Sequence, residues 1–249
     1  MPNLPPLSLN PAIEVDALAR RYAAIGRVQI NDLMMPDAAE ALYAMLRVRE
    51  DWVQVINSGE RLFELTRAAR AAMDRERREA LDAAVSAGAR NGFQFRYETI
   101  RVPDDDAGRR ASDDPLAHVA EWLSGGQVRD LLRRVTGEAT IDYADAQATA
   151  YSPGDLLTAH DDAVPGKHRH AAYVLGLTRA WRPEWGGLLL FHDDREVSGG
   201  YVPGFNTLNL FRVPQRHSVS EVTRAAAHRR YSITGWLRSR GPELEGRQV

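Results

Sequence analysis

Leu156-Leu157-Thr158-Ala159-His160-Asp161-Asp162 follows directly on the turn Ser152-Pro153-Gly154-Asp155, and this stretch decides how the second half of the chain reads. A Pro-Gly pair flanked by Ser and Asp ends one extended run and starts the next. Further turn signals follow at Gly186-Gly187, Gly199-Gly200 and Pro203-Gly204. From about Ile141 at least six short strand-like runs lie between such turns in under 100 residues. Short strands at regular spacing predict an antiparallel sandwich or barrel.

Upstream the texture is helical. Glu14 to Ile25 places Val15, Leu18, Ala19 and Tyr22 at helical spacing, and Gly26 stops it. Arg27 to Leu33 reads as a short strand, and Pro36 suits the first turn of a helix running to Val48. Arg61 to Arg90, rich in Arg, Ala and Glu, reads as one or two helices ending near Gly88. Asn91 to Val102 alternates Phe93, Phe95 and Tyr97 with Gln94, Arg96 and Glu98, which predicts a half-buried strand. Pro103 to Asp114 has no periodicity and reads as a mobile loop, a lid in one reading and a connector in the other. Asp114-Pro115 resembles an N-cap and first-turn proline opening a helix to about Ser124, and Gln127 to Val135 reads as another. Without repeat or linker, the reading is one α+β domain over 1–249. It has a mainly helical support, 1–140, packed on a β core, 141–238.

Composition removes several function classes. The chain has 249 residues, 44% hydrophobic and 27% charged, the balance of a folded globular protein. The net charge of -2 leaves no bulk basic field, so no direct nucleic-acid binding is expected. No apolar run approaches the roughly 20 residues of a membrane span, so no membrane is expected either. Met1 to Asn10 carries neither basic residue nor apolar run, so no secretory leader is expected. There is no cysteine, which excludes disulfides, thiol catalysis and Cys-ligated metals and fits a cytoplasmic location. Any metal must then be held by His, Asp and Glu.

His160 and Asp162 form such a pair. At a strand period of two, Thr158, His160 and Asp162 share a face. His217, 55 residues past Asp162, is the leading third ligand. Two His and one carboxylate on one face of a metal leave open positions, the arrangement of non-haem Fe(II) oxygenases. A second His-x-Asp, His192-Asp193-Asp194, ends an apolar run ahead of a charged, Gly-rich stretch and reads as a turn. Further on, Arg230, Ser232, Thr234 and Trp236 alternate with Tyr231, Ile233 and Leu237. A buried Arg on the polar face of that strand calls for a carboxylate, which its planar fork binds bidentately. Arg229 falls on the other face.

These residues carry a resemblance. A His-x-Asp, a distal His and an Arg shortly after it are similar to the Fe(II)/2-oxoglutarate-dependent dioxygenases. The prolyl 4-hydroxylase-like branch, and in it the ribosomal-protein prolyl hydroxylases, is the closer likeness. Tyr151 in its turn, Arg169 to Leu177, Trp181, Gly186-Gly187-Leu188, Phe205-Asn206, His217 to Val222 and Arg230 to Trp236 follow that branch in order over about Tyr151 to Leu237. The resemblance implies a double-stranded β-helix (jelly-roll) core, with Fe(II) on His160, Asp162 and His217. It implies 2-oxoglutarate as cosubstrate, its distal carboxylate on Arg230, Tyr151 beside it, and ascorbate as an accessory reductant. Several relatives carry a Tyr where Gly176 stands here, so Tyr173, Thr234 or a water is expected to supply that contact. The expected activity is hydroxylation of a prolyl residue in a peptide or protein, a ribosomal protein among the candidates. The alternatives are hydroxylation of a free amino acid or other small molecule, and a non-catalytic cupin-like binding protein.

Overall fold

The computed structural model describes residues 4–240. Residues 1–3 and 241–249, part of the expected 1–249 domain and of the expected leaderless N-terminus, lie outside the described residues. Helix α1 (Val15–Ile25) ends at Gly26, whose φ of 70° is the left-handed C-cap that glycine adopts at least cost. Strand β1 (Arg27–Ile30) follows, and then α2 (Pro36–Val48) with Pro36 in its first turn. Next come β2 (Val53–Ser58) and β3 (Arg61–Thr66), α3 (Arg67–Ala71) and α4 (Arg75–Asn91). Strand β4 (Phe95–Arg101) leads to α5 (Asp106–Arg110), α6 (Pro115–Ser124) and α7 (Gly126–Thr136).

Three sequence expectations change here. Arg61 to Arg90 is not helical throughout: its first six residues form β3, because the two-residue turn Gly59-Glu60 returns the chain onto β2 with Ser58 opposite Arg61. Gly59, at φ 59°, supplies the left-handed turn residue such a hairpin requires. The segment 1–140 is mainly helical support with the expected strands β1 and β4, and it also contributes β2 and β3, which the sequence did not suggest, to the sheet. Pro103 to Asp114 is not a bare loop. Asp105 caps α5 through the Gly108 amide at 2.7 Å, and Arg109, 2% exposed, donates to the Pro103 carbonyl at 2.8 Å.

The last strands are β5 (Tyr143–Ala144), β6 (Gln147–Tyr151), β7 (Leu156–His160), β8 (Arg169–Leu177) and β9 (Leu189–His192). They continue with β10 (Val197–Tyr201), β11 (Phe205–Arg212), β12 (His217–Val219) and β13 (Arg230–Arg238). Strands β11, β8, β13 and β6 pair in that order, as do β10, β9, β12 and β7. From β6 to β13 the chain changes layer at every step except β9 to β10, the path of a double-stranded β-helix. Strand β4 pairs with both β6 and β7 and so joins the two layers along one edge.

Alternation decides what each face meets. Tyr231, Ile233 and Leu237 of β13 point outward into one core with Leu42 and Leu46 of α2 and Leu116 of α6. Between the layers Val174, Leu189, Phe191 and Phe211 form a second, smaller core. Among the described residues no helix is long and apolar enough to cross a membrane.

Gly235 is required by close approach: a Cβ there would lie 1.9 Å from the Asp145 carbonyl oxygen. Gly235→Ala must push the β13 backbone away and is expected to cost about 1–3 kcal/mol, the range for overpacking. In a chain of this size Tm falls by roughly 2–4 °C for each kcal/mol. Gly92→Ala, where nothing lies within 4 Å, is the control. Equal Tm values in thermal unfolding of the two variants would contradict this packing.

Candidate active site

Strands β7 and β12 pair so that His217 stands directly opposite His160. That register brings the two imidazoles to a centroid distance of 4.2 Å. Asp162 arrives by another route than period two. Strand β7 ends at His160, and Asp162 takes a left-handed φ of 63°, which turns its carboxylate back over the strand end. Its Oδ1 then lies 3.3 Å from His160 Nε2 and its Oδ2 3.4 Å from His217 Nε2. One ligand atom from each of the three residues lies within 4.8 Å of the others, the single such cluster among the described residues.

The hydrogen bonds behind the rings fix their chemistry. His160 Nδ1 donates to the Thr158 carbonyl at 3.0 Å, and His217 Nδ1 donates to the Gln215 carbonyl at 2.8 Å. A carbonyl only accepts, so each Nδ1 carries the proton and a neutral ring is left with its Nε2 lone pair facing Asp162. Burial, and then the neighbouring His160, push the His217 pKa down to about 4, so this ring is neutral at pH 7. Burial alone would raise the Asp162 pKa, but its contacts with His160 and His217 bring it below the usual carboxylate range. Two imidazole Nε2 atoms and a carboxylate thus converge on one point. A divalent cation satisfies all three, and the donor set suits Fe(II).

Arg169 supports Asp162 from behind. Its Nη1 donates to the Asp162 carbonyl at 2.9 Å, and its guanidinium lies 3.5 Å above the Trp236 ring. Trp236, on the Arg230 face of β13, lines the cavity.

That cavity is about 420 Å³ and runs from the cluster to Arg230. Arg230 is 4% exposed, and among the described residues no carboxylate lies within ion-pair distance of it. Its guanidinium faces the Tyr151 ring at 4.9 Å. A buried guanidinium without a counter-ion is costly, and a carboxylate entering the cavity would supply one. Thr234 lines the cavity on the same face of β13.

Tyr151 is brought to this site, buried and stacked on Tyr97 with ring centroids 5.1 Å apart. Tyr173 also borders the cavity, but its hydroxyl donates to the Asp145 carbonyl at 2.7 Å and is not free to meet a ligand. Gly176 admits no side chain on this backbone, since a Cβ would meet the Gly204 carbonyl oxygen at 2.6 Å. His192 stands apart, hydrogen-bonded to Ser218 Oγ at 2.7 Å. Arg229 does not pack on an apolar face. It precedes β13 and donates to Glu98 Oε2 at 2.6 Å. Residues 103–114 do not line the cavity, and Asp106 pairs with Arg240 at 2.6 Å. What sequence reasoning passed over is the aromatic wall: Phe93, Phe95 and Tyr97 face the site while Gln94, Arg96 and Glu98 are the buried side of β4. The alternation carried that signal, with the buried side inverted.

Residues 146–238 match the family model described as 2OG-Fe(II) oxygenase superfamily. No curated protein matches the chain. Among solved structures it is similar to a prolyl-4-hydroxylase from Pseudomonas putida, at TM-score 0.58 and 20% identity over 92% of this chain and 100% of that one. It is similar to an oxidoreductase of the 2OG-Fe(II) oxygenase family from Burkholderia pseudomallei, at TM-score 0.59 and 15% identity over 92% of each chain. A prolyl hydroxylase from Trichoplax adhaerens, in complex with a peptide fragment of the hypoxia inducible factor oxygen degradation domain, gives TM-score 0.57 and 17% identity over 90% of this chain and 89% of that one. At these identities the likeness is one of fold.

The converging lone pairs generate a prediction about metal. His160→Ala and Asp162→Ala should each lose Fe(II) binding by more than the roughly 10–100-fold that removal of an outer hydrogen-bond partner causes. His192→Ala should bind as the wild type does. Anaerobic Fe(II) titration, with Mn(II) as a redox-stable substitute, reads this directly. Iron loss in His192→Ala with retention in His160→Ala would move the site to the other His-x-Asp.

Proposed function

We propose that this chain, whose segment 146–238 belongs to the 2OG-Fe(II) oxygenase superfamily, hydroxylates a prolyl residue in a peptide or protein. The oxygenase class, and with it Fe(II) and 2-oxoglutarate, comes from the family. When bound, Fe(II) would activate O2 with 2-oxoglutarate as co-reductant, so that one oxygen atom converts a substrate C–H to C–OH and the other enters succinate as CO2 leaves.

The observation that carries this reading is the pairing, across one cavity, of three convergent metal donors with an unpaired buried guanidinium. His160, Asp162 and His217 would hold the metal on strand ends that are fixed by the β7–β12 register. Arg230 would take the distal carboxylate of 2-oxoglutarate, with Tyr151 and Thr234 beside it. The two ends of the cosubstrate are then held by groups of opposite demand, one offering lone pairs to a metal and the other offering N–H donors. Tyr151, Tyr97 and Phe95 give the cavity an aromatic wall.

A prolyl substrate is supported by the wall. Proline docks well on aromatic-lined grooves, and Phe93, Phe95 and Tyr97 offer such a surface along one side of the opening. Phe93 and Val164 stand at the rim, 48% and 45% exposed, which favours a substrate that extends beyond the cavity over a small metabolite enclosed by it. The prolyl hydroxylases among the similar structures, one of them with a peptide, point the same way. A ribosomal-protein loop is one such polypeptide. The absence of cysteine agrees with a reducing cytoplasm as its place of action.

Succinate release is expected to rise when proline-containing peptides, ribosomal-protein loops among them, are added to the iron-loaded enzyme. Mass spectrometry should find one added oxygen on a prolyl residue. Stimulation by free amino acids and none by peptides would overturn the polypeptide substrate. No succinate under any condition, with iron bound, would leave a binding protein.

Arg230→Ala is expected to raise the 2-oxoglutarate requirement by well over tenfold. Truncating one partner of a buried charge-assisted pair costs about 2–5 kcal/mol, and about 1.4 kcal/mol is a factor of ten. Fe(II) binding should survive. An unchanged KM for 2-oxoglutarate in Arg230→Ala would remove the clamp.

A further inference from the structure

Three chain segments that wall the active cavity have a second side. On β4, Phe95 and Tyr97 face the active cavity while Arg96 and Glu98 face away. Tyr151 and Arg230 face inward, and their neighbours Ser152 and Arg229 face outward. Between these outward residues and helices α3 and α4 lies a separate cavity of about 440 Å³.

Its charges do not balance. Glu98 is 1% exposed and accepts from Arg229 at 2.6 Å, Arg70 at 2.8 Å and Arg67 at 3.2 Å. One carboxylate therefore faces three guanidiniums, each about one-third exposed. Arg96 is matched separately by Asp155 at 3.1 Å and Asp82 at 2.5 Å. Over the whole lining, five arginines meet three carboxylates, a surplus of two positive charges.

Two neutral polar groups also face this space without partners. The Ser152 hydroxyl is buried and makes no hydrogen bond. Gln54 is 4% exposed, lines the cavity, and its carboxamide makes no hydrogen bond among the described residues. Buried polar groups are normally satisfied, so an amide and a hydroxyl left open beside surplus guanidinium N–H groups describe a vacant set of donors.

We propose that this cavity is an anion site for a phosphate dianion, held by Arg70 and Arg229 with Gln54 and Ser152, and distinct from the Arg230 clamp. Phosphate matches the surplus of two charges and the planar guanidinium forks. The hydroxyl and carboxamide reach oxygens that the forks leave free. The volume exceeds that of the bare ion, and Met73, Leu81 and Pro153 line part of it, so a phosphomonoester with a small organic group also fits.

The test is a 31P NMR and calorimetric titration of the full chain with inorganic phosphate and with glycerol phosphate. Ionic strength is held constant with chloride, and 2-oxoglutarate is present in excess to occupy the Arg230 site. One saturable site is expected, weakening as salt rises. Arg70→Gln and Gln54→Leu should each lower the affinity, Arg70→Gln by about tenfold or more, a loss of about 1.4 kcal/mol or more. Arg75→Gln, on the exposed side of α4, should bind as the wild type does. Gln54→Leu and Ser152→Ala remove no partner of Glu98, so they carry the test if Arg70→Gln does not fold. Tighter binding of glycerol phosphate assigns the site to a phosphomonoester, and equal or weaker binding assigns it to the free ion. Absence of saturable binding, affinity unchanged in Gln54→Leu and Ser152→Ala, or displacement of phosphate by 2-oxoglutarate would each overturn the proposal.

Discussion

The pairing of β12 with β7 sets His217 opposite His160, and most of the site depends on that register. A slip of one residue would turn His217 to the outer face and His192's partner Ser218 inward. The register is held on the other side of β12 by β9, where His217 meets Phe191 and Val219 meets Leu189. Phe191 and Leu189 in turn belong to the small core between the layers, with Phe211 against the His217 ring at 4.5 Å. The metal donors are thus aligned by apolar packing rather than by each other.

The wall between the two cavities works because β-strands alternate. Along β4 one residue faces the aromatic chamber and the next faces the arginine cluster. Such a strand has no hydrophobic side in the ordinary sense. Its buried polar side is affordable only through partners far off in sequence: Arg70 is 28 positions from Glu98, Arg229 is 131, and Asp155 is 59 from Arg96. Arg96 also donates to the Gly154 carbonyl at 2.7 Å, and Asp155 accepts from the Ser152 amide at 2.8 Å. The turn that launches β7 toward His160 is therefore anchored on the same buried side of β4.

These couplings explain what could be read in the sequence and what could not. Strand β13 was legible because its outward residues, Tyr231, Ile233 and Leu237, are apolar and meet helices, so period two and burial agree. The pair His160 and Asp162 was legible as chemistry but not as geometry, since the carboxylate arrives through the positive φ of Asp162 after the strand has ended. Strand β4 was legible as a strand with its faces reversed, because hydropathy places aromatics inside and cannot anticipate ion pairs closed by residues up to 131 positions away. Strand β3 was hidden by composition. Arg61 to Thr66 is mostly exposed, so only its pairing with β2 across Gly59-Glu60 makes it a strand. The stretch 103–114 lacked periodicity because a single helical turn shows none. Its order comes from Arg109, an arginine buried against the Pro103 carbonyl and above the Tyr143 ring.

The two arginines at the start of β13 show how one bond's difference in position sets two chemistries. Arg229 and Arg230 are adjacent, and alternation sends them to opposite sides of the same wall. Arg229 finds Glu98, already shared by two other arginines, and remains one-third exposed. Arg230 finds no carboxylate and is buried against Tyr151. Burial disfavours its charged form, and the polarisable face of Tyr151 offsets only part of that cost. A guanidinium held this way keeps its N–H fork free for an incoming carboxylate, whereas a neighbouring Glu would have closed the fork and filled the cavity. The absence of a side chain at Gly176 and the engagement of Tyr173 with Asp145 leave Arg230 without a phenol beside it from β8. In the proposed function, recognition of a dicarboxylic cosubstrate there would depend on one fork, its aromatic support and the hydroxyl of Thr234, rather than on a phenol–arginine pair.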